Sequence, residues 1–246
     1  MKAAHAIAAE FRGQIARGEL GDGDPLPVEN ELVEELGVSK GVVREALRIL
    51  EHEGLVEVRR GLGGGPFVRH PSIGHAANAM GVYLQIGHVA VMDVWLARDR
   101  IIGAAVARLA EARAGVPDLA TAAEELAARV GDLEAYNVCL LDVHETAVRE
   151  GGNDTELMLV AALRHVVATE IEAATRALVD VRPAVQHEEL IAGAWHDVVR
   201  HVRAGHRAAA SRAFDRQADP VRESLARWLR GTTVVDAARG IRPPST

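Results

Sequence analysis

The sequence predicts a mainly α protein in two domains, a small punctuated one up to about residue 71 and a long all-helical one after it. Three observations carry that reading. Apolar residues recur at helical spacing along most of the chain. Aromatic residues make up only 3% of the 246 positions, while Ala, Leu, Arg and Glu abound. Glycine, proline and the one alternating strand pattern are concentrated before residue 71. The length exceeds that of one typical domain. A formal net charge of −7 excludes a polycation, so any binding to nucleic acid has to come from a local patch. The single cysteine, Cys139, excludes an intrachain disulfide and fits a reducing compartment. No secretory leader opens the chain and no long uncharged apolar run follows, so the expectation is a cytoplasmic protein without a membrane partner.

The elements follow in order. Ala3 to Arg17 is helical, with Ile7, Phe11 and Ile15 on one stripe, and "GELGDGDPLP" ends it. Glu29 to Leu36 forms a second short helix, closed by Gly37. Ser39 is placed to cap a third through its hydroxyl, and this helix runs to Glu53. Position 42 is Val, not Glu or Gln, so only half a capping box is present. "LVEVRR" alternates, "GLGGG" turns and "PFVRH" returns, a small β-hairpin. "GLGGG" lacks a following Gly-Lys-Ser/Thr and a helix start, which removes a phosphate-loop reading. Beyond Ser72 come helices over roughly 89–114, 118–130, 133–149, 155–178, 188–204 and 206–229. Residues 231–246, with Pro243 and Pro244, read as a loose tail.

"VSKGVVREALRILEHEGLV" carries the chemistry of the first domain. At 100° per residue, Val42, Val43, Ala46, Leu47, Ile49 and Leu50 share one face, and Lys40, Arg44 and Arg48 line the other. An isolated basic stripe reads as a solvated face. Here it sits on the second of two helices joined by a short turn holding Gly37, the layout of a helix-turn-helix whose second helix enters the major groove. The hairpin adds Arg59 and Arg60 beside a glycine-rich tip, suited to reaching phosphates or the minor groove. The two features together give a winged helix-turn-helix.

The run from Gly23 to Val68, "GDPLPVENELVEELGVSKGVVREALRILEHEGLVEVRRGLGGGPFV", resembles the DNA-binding domain of the GntR family of bacterial transcription regulators, over about residues 3–70. The resemblance implies DNA contacts by Ser39, Lys40 and Arg44 on the recognition helix and by Arg60 and Gly61 on the wing. The family usually has Arg where this chain has Asn30, so that contact becomes a neutral hydrogen bond. Lys40 likewise stands for an Arg, exchanging a bidentate fork for a point charge.

The second domain resembles the all-helical FCD effector domain of the FadR-like subfamily over about residues 75–230, through "HETAVREGGN" (144–153), "WLARDRIIGAAVARLAEARA" with Arg98, and "HVRAGHRAAASRAFDRQ". Many such domains hold a divalent metal by an Asp, a His four residues later and two further His. His144 matches the first His. The other three positions fall on Leu140, Trp195 and Gln217, and Leu, Trp and Gln do not complete a divalent-metal set. Helical phase forbids a one-residue slip to His196, because Ile191, Trp195, Val198, Val199 and Val202 form the apolar stripe. Gln217 shares a stripe with Ala210, Phe214 and Val221. His144 then reads as a buried histidine satisfied by one hydrogen bond, to Gln217. The alternative is a metal held by a set that includes His165, His187 or His196.

These readings give a winged-helix, dimeric regulator of transcription, most often a repressor in the resembled family, that binds a pseudo-palindromic DNA operator and answers to a small-molecule effector. The effector pocket is expected to involve Arg98, Leu140, His144, Asn153, Trp195 and Gln217, with Arg98 suited to a carboxylate and Trp195 and Leu140 to apolar surface. No metal, cofactor or catalytic residue is expected. Two other classes compete: an enzyme using His144, which lacks a paired nucleophile and base, and an architectural DNA-binding protein without a ligand.

Overall fold

The computed structural model describes residues 2–61, 64–70, 72–179 and 184–228. The expected tail, residues 231–246, lies outside them. The chain divides into two units, Met1–Ala76 and Ala77–Thr246.

The first unit is three helices and a hairpin. Helix α1, Lys2–Ala16, lies on α3, Lys40–His52, with α2, Glu29–Leu36, alongside. Alternating residues pair β1, Val56–Arg59, antiparallel to β2, Gly65–Val68, in the register Val56–Val68 and Arg59–Gly65. The α1 stripe is rotated from the expected one: Ala4, Ala8 and Ile15 are buried while Ile7 and Phe11 are half-buried. Small alanines at the contact let the two helix backbones approach, which a stripe chosen by side-chain size overlooks. On α3 the expected face holds, with Val43, Ala46, Leu47 and Leu50 buried and Val42 and Ile49 at its edges. These residues close a core with Leu26, Leu32, Leu55, Val56 and Val68. Arg12 ties α1 to the end of α3 through a two-pronged pair with Glu53, at 3.0 and 2.6 Å.

The second unit is all-helical. Helix α4, Ile73–Ile86, starts at the end of the first unit and was not among the expected helices. Its buried positions are Ala77 and Gly81, small residues spaced four apart that leave little apolar periodicity to read. Then come α5, Val91–Glu111; α6, Pro117–Ala128; α7, Leu133–Glu150; α8, Asp154–Val179; α9, Ala184–Arg203; and α10, Arg207–Trp228. Five of these match the expected spans within a few residues. Helix α9 begins four residues before its expected start at Glu188, and Leu229, the expected last residue of α10, lies outside the described residues.

Helix α5 is the hub, packed against α7, α8, α9 and α10, while α6 closes over α7 and α9. Ile102, Val106, Leu109, Leu119, Leu126, Val143, Val148, Trp195 and Phe214 are among the fully enclosed core residues. Helix ends are tied across elements. The Glu150 carboxylate of α7 accepts from the Asp118 and Leu119 amides that open α6, at 3.0 and 3.3 Å, satisfying donors a helix start leaves unpaired. Asp132 caps α7 through the Ala135 amide at 3.2 Å. Among the described residues no helix is long and apolar enough to cross a membrane.

Candidate functional site

Helix α2 starts where Pro27 and an extended Val28 prevent earlier winding, and the Glu31 carboxylate accepts from the Val28 amide at 3.1 Å. It stops at Gly37, which takes φ +63° and donates its amide to the Val33 carbonyl. That left-handed step suits glycine and aims the chain into Ser39. Ser39 is the N-cap of α3 with an extended backbone, but its hydroxyl caps nothing. The Val42 amide bonds the Ser39 carbonyl instead, at 2.9 Å. The expected hydroxyl cap is therefore absent, and the exposed hydroxyl remains open to an outside acceptor. At the other end Gly54, φ +72°, turns the chain from α3 into β1, and a Cβ there would meet the His75 ring at 2.9 Å.

Lys40, Arg44 and Arg48 stand exposed along the outer side of α3, opposite its buried face. Asn30 is exposed on the first turn of α2. The sequence did not reveal how acidic groups interleave with these cations. The Glu29 carboxylate reaches from α2 to Arg44 Nε at 2.9 Å and to Lys40 Nζ at 3.7 Å. On the wing, Arg59 lies over the Phe67 ring at 4.4 Å and donates to Glu57, which also accepts from Arg69 at 3.0 Å. Those hydrogen bonds, from Arg59 first, hold the Glu57 carboxyl below its usual range. Arg48, Arg60 and Gly61 are exposed, and neither arginine has an ion-pair partner among the described residues.

The second candidate site lies inside the helical unit. Arg98 of α5, His144 of α7, Trp195 of α9 and Gln217 of α10 are all 3% exposed or less. Arg98 Nη2 lies 2.9 Å from His144 Nδ1. The His144 ring sits 5.5 Å from Trp195, which meets Phe214 edge-on at 5.9 Å, and the Arg98 guanidinium lies 5.5 Å from the Trp95 ring. Burial lowers the Arg98 pKa to about 10, opposed by the charges of Asp99 and Glu145. Burial, with the Arg98 charge behind it, pushes His144 well below its ordinary range; a side-chain hydrogen bond with Gln217 opposes this. His144 is neutral, so Nδ1 accepts from Arg98 and the ring proton sits on Nε2. The His144 ring therefore has two neighbours at hydrogen-bonding range, Gln217, the partner expected from the sequence, and Arg98, which the sequence did not reveal.

Among the described residues, four buried atoms here lack hydrogen-bond partners: Trp95 Nε1, Arg98 Nε and Nη1, and Trp195 Nε1. All four are donors. Burying such atoms unpaired is costly, and among the described residues these four have no acceptor. The Asn153 side-chain oxygen accepts from the Glu156 amide at 3.1 Å and so caps α8. Leu140 is half-buried one turn before His144, packed against the core. Trp95 and Asp99, one turn before and one residue after Arg98, are the residues the sequence reading missed. Among the described residues no group of three or more His, Cys, Asp and Glu is placed to hold a metal. His165 is exposed and His196 faces a surface groove of about 330 Å³ between α6 and α9, lined by Ala120, Glu124, Val199, Arg200 and Arg203 as well. His187 is half-buried on α9.

Fold and sites define a class: a winged helix-turn-helix unit with a basic second helix, followed by an all-α unit around a buried cationic centre. Residues 3–65, most of the first unit, match the family model "Bacterial regulatory proteins, gntR family". This region is similar to the mannosyl-D-glycerate transport/metabolism system repressor MngR of Escherichia coli K12, 51% identical over 57 residues, 23% of this chain and 24% of that protein. It is also similar to the Exu regulon transcriptional regulator of the same organism, 47% identical over 57 residues, 23% of this chain and 22% of that one. The match spans about a quarter of the length of these relatives. The fold as a whole is similar to the solved structure of Streptococcus agalactiae GntR, with a TM-score of 0.58 and 20% identity over 90% of this chain and 99% of that chain.

Proposed function

We propose that this protein is a dimeric DNA-binding regulator of transcription, acting as a repressor in the cytoplasm, whose all-α unit is an FCD-type effector domain of the FadR-like subfamily. The observation that carries the DNA-binding reading is the exposed row of Lys40, Arg44 and Arg48 on the second helix of a helix-turn-helix, beside a wing bearing Arg59 and Arg60. Arg44 reads a base edge, Lys40, Arg48 and Arg60 anchor phosphates, and Ser39, Asn30 and the Gly61 backbone add neutral hydrogen bonds.

The effector is an organic anion, a carboxylate with apolar surface. The support is the set of four buried donors, unpaired among the described residues, around Arg98 and the indole rings of Trp95 and Trp195. A carboxylate supplies the acceptors this centre lacks, and indole faces take the apolar part. The centre is closed to solvent, so admitting an effector requires the surrounding helices to part. An enzyme reading finds less support. A general base needs a partner that stabilises its protonated form, and His144 instead faces the Arg98 cation. Selection of bound duplexes from a random-sequence pool tests the proposal. The expected product is a consensus of two inverted half-sites, and binding without any sequence preference would refute it.

A further inference from the structure

We infer that Glu29 is the specificity-setting residue of the recognition helix: it buttresses Arg44 so that the guanidinium presents its two terminal nitrogens to a single base. This rests on the DNA-binding reading above. Of the two acidic residues in the first turn of α2, Glu31 folds back onto the Val28 amide, but Glu29 crosses to α3. Among the described residues its Oε2 accepts only from Arg44 Nε, at 2.9 Å, and its Oε1 is buried, without a hydrogen bond, 3.7 Å from Lys40 Nζ. The side chain of Arg44 is 61% exposed against 26% for Glu29. A pair so open to water contributes little to folding.

Its geometry matters more. A carboxylate on Nε fixes the plane of the guanidinium and leaves Nη1 and Nη2 as a free fork, the arrangement that pairs with the O6 and N7 acceptors of guanine. An unbuttressed arginine of the same charge swings among phosphates and neighbouring bases, which holds affinity and loses selectivity. The carboxylate also opposes phosphates near Lys40 and Arg44, so it weakens binding to DNA of arbitrary sequence. Both effects widen the gap between right and wrong sequences.

The test uses the full-length protein and duplexes chosen by wild type from a random pool, each half-site varied one base pair at a time. Glu29→Ala is expected to lower discrimination at one guanine per half-site by about fivefold or more, while binding a random duplex more tightly than wild type. Glu29→Gln, which keeps an acceptor but not the charge, should lie between. In an Arg44→Ala background Glu29→Ala should change discrimination at that base pair no further, because the fork it orients is gone. An unchanged melting temperature separates this from a loss of fold. Equal changes on all duplexes, or a loss at that base pair that persists without Arg44, would overturn the assignment of Glu29. Wild type selecting no consensus at all would bring down the regulator reading itself, and this inference with it.

Discussion

Acidification should destabilise the helical unit through His144, by an amount its surroundings set. The ring is buried and neutral in the folded protein, its pKa pushed well below 6.5 by burial and by Arg98. In the unfolded chain the same ring titrates near its ordinary value, about 6.5. Below that pH the unfolded state holds a proton that the folded state refuses. Stability from this group is therefore fully present above about pH 6.5 and falls as pH drops. One proton corresponds to about 1.4 kcal/mol per pH unit, so about 2 kcal/mol is lost between pH 6.5 and 5 if His144 stays neutral throughout. Glu19 and Glu57, whose pKa values are lowered, lose their contributions below the usual carboxylate range and stay outside this window. His201 is shifted the same way, but it is common to wild type and variant and cancels. His144→Gln keeps an acceptor for Arg98 and cannot be protonated. Urea denaturation of both proteins from pH 7.5 to 5 should show wild type losing about 2 kcal/mol relative to the variant. Parallel curves would refute the reasoning, and would mean that His144 is protonated in the folded protein despite facing Arg98.

Three further outcomes follow from the same geometry. Trp195→Ala should cost about 3 kcal/mol for lost burial, whereas Trp195→Phe, which retains bulk and removes the unpaired Nε1, should cost less than about 1.5 kcal/mol; thermal or chemical denaturation reads both. DNA affinity should fall steeply with salt although the protein is acidic. Arg48 and Arg60, which have no carboxylate partner among the described residues, give a log–log slope of about −3.6 or steeper for a dimer, and a flat dependence would contradict phosphate anchoring. Protein purified without chelator should contain well under one zinc, nickel or manganese per chain by elemental analysis; near-stoichiometric metal lost on His144→Ala would overturn the metal-free expectation.

The sequence exposed those features that follow from helical phase. Trp195 is fully buried, with Ile191, Val198, Val199 and Val202 on the same stripe, while His196 is exposed, as a 100° step requires. The basic row on α3 was legible for the same reason. What escaped were relations between elements. Glu29 lies fifteen residues from Arg44, and no periodicity links positions on different helices. Arg98 and His144 are forty-six residues apart, so each could be placed on an inward face but not paired. Helix α4 was missed because a contact built on Ala77 and Gly81 leaves only a faint apolar stripe. Asn153, at the spacing of the resembled motif, also caps the start of α8 through its side-chain oxygen. A motif can mark a helix boundary as readily as a ligand contact.

The central claim is that α3 reads DNA through Arg44. The direct measurement is the ratio of affinities for the selected duplex and a random one, for wild type and Arg44→Ala at matched salt. The account expects the variant to lose about 1–3 kcal/mol on the selected duplex and much less on the random one, with Asn30→Ala changing the ratio less. An unchanged ratio in Arg44→Ala would contradict it.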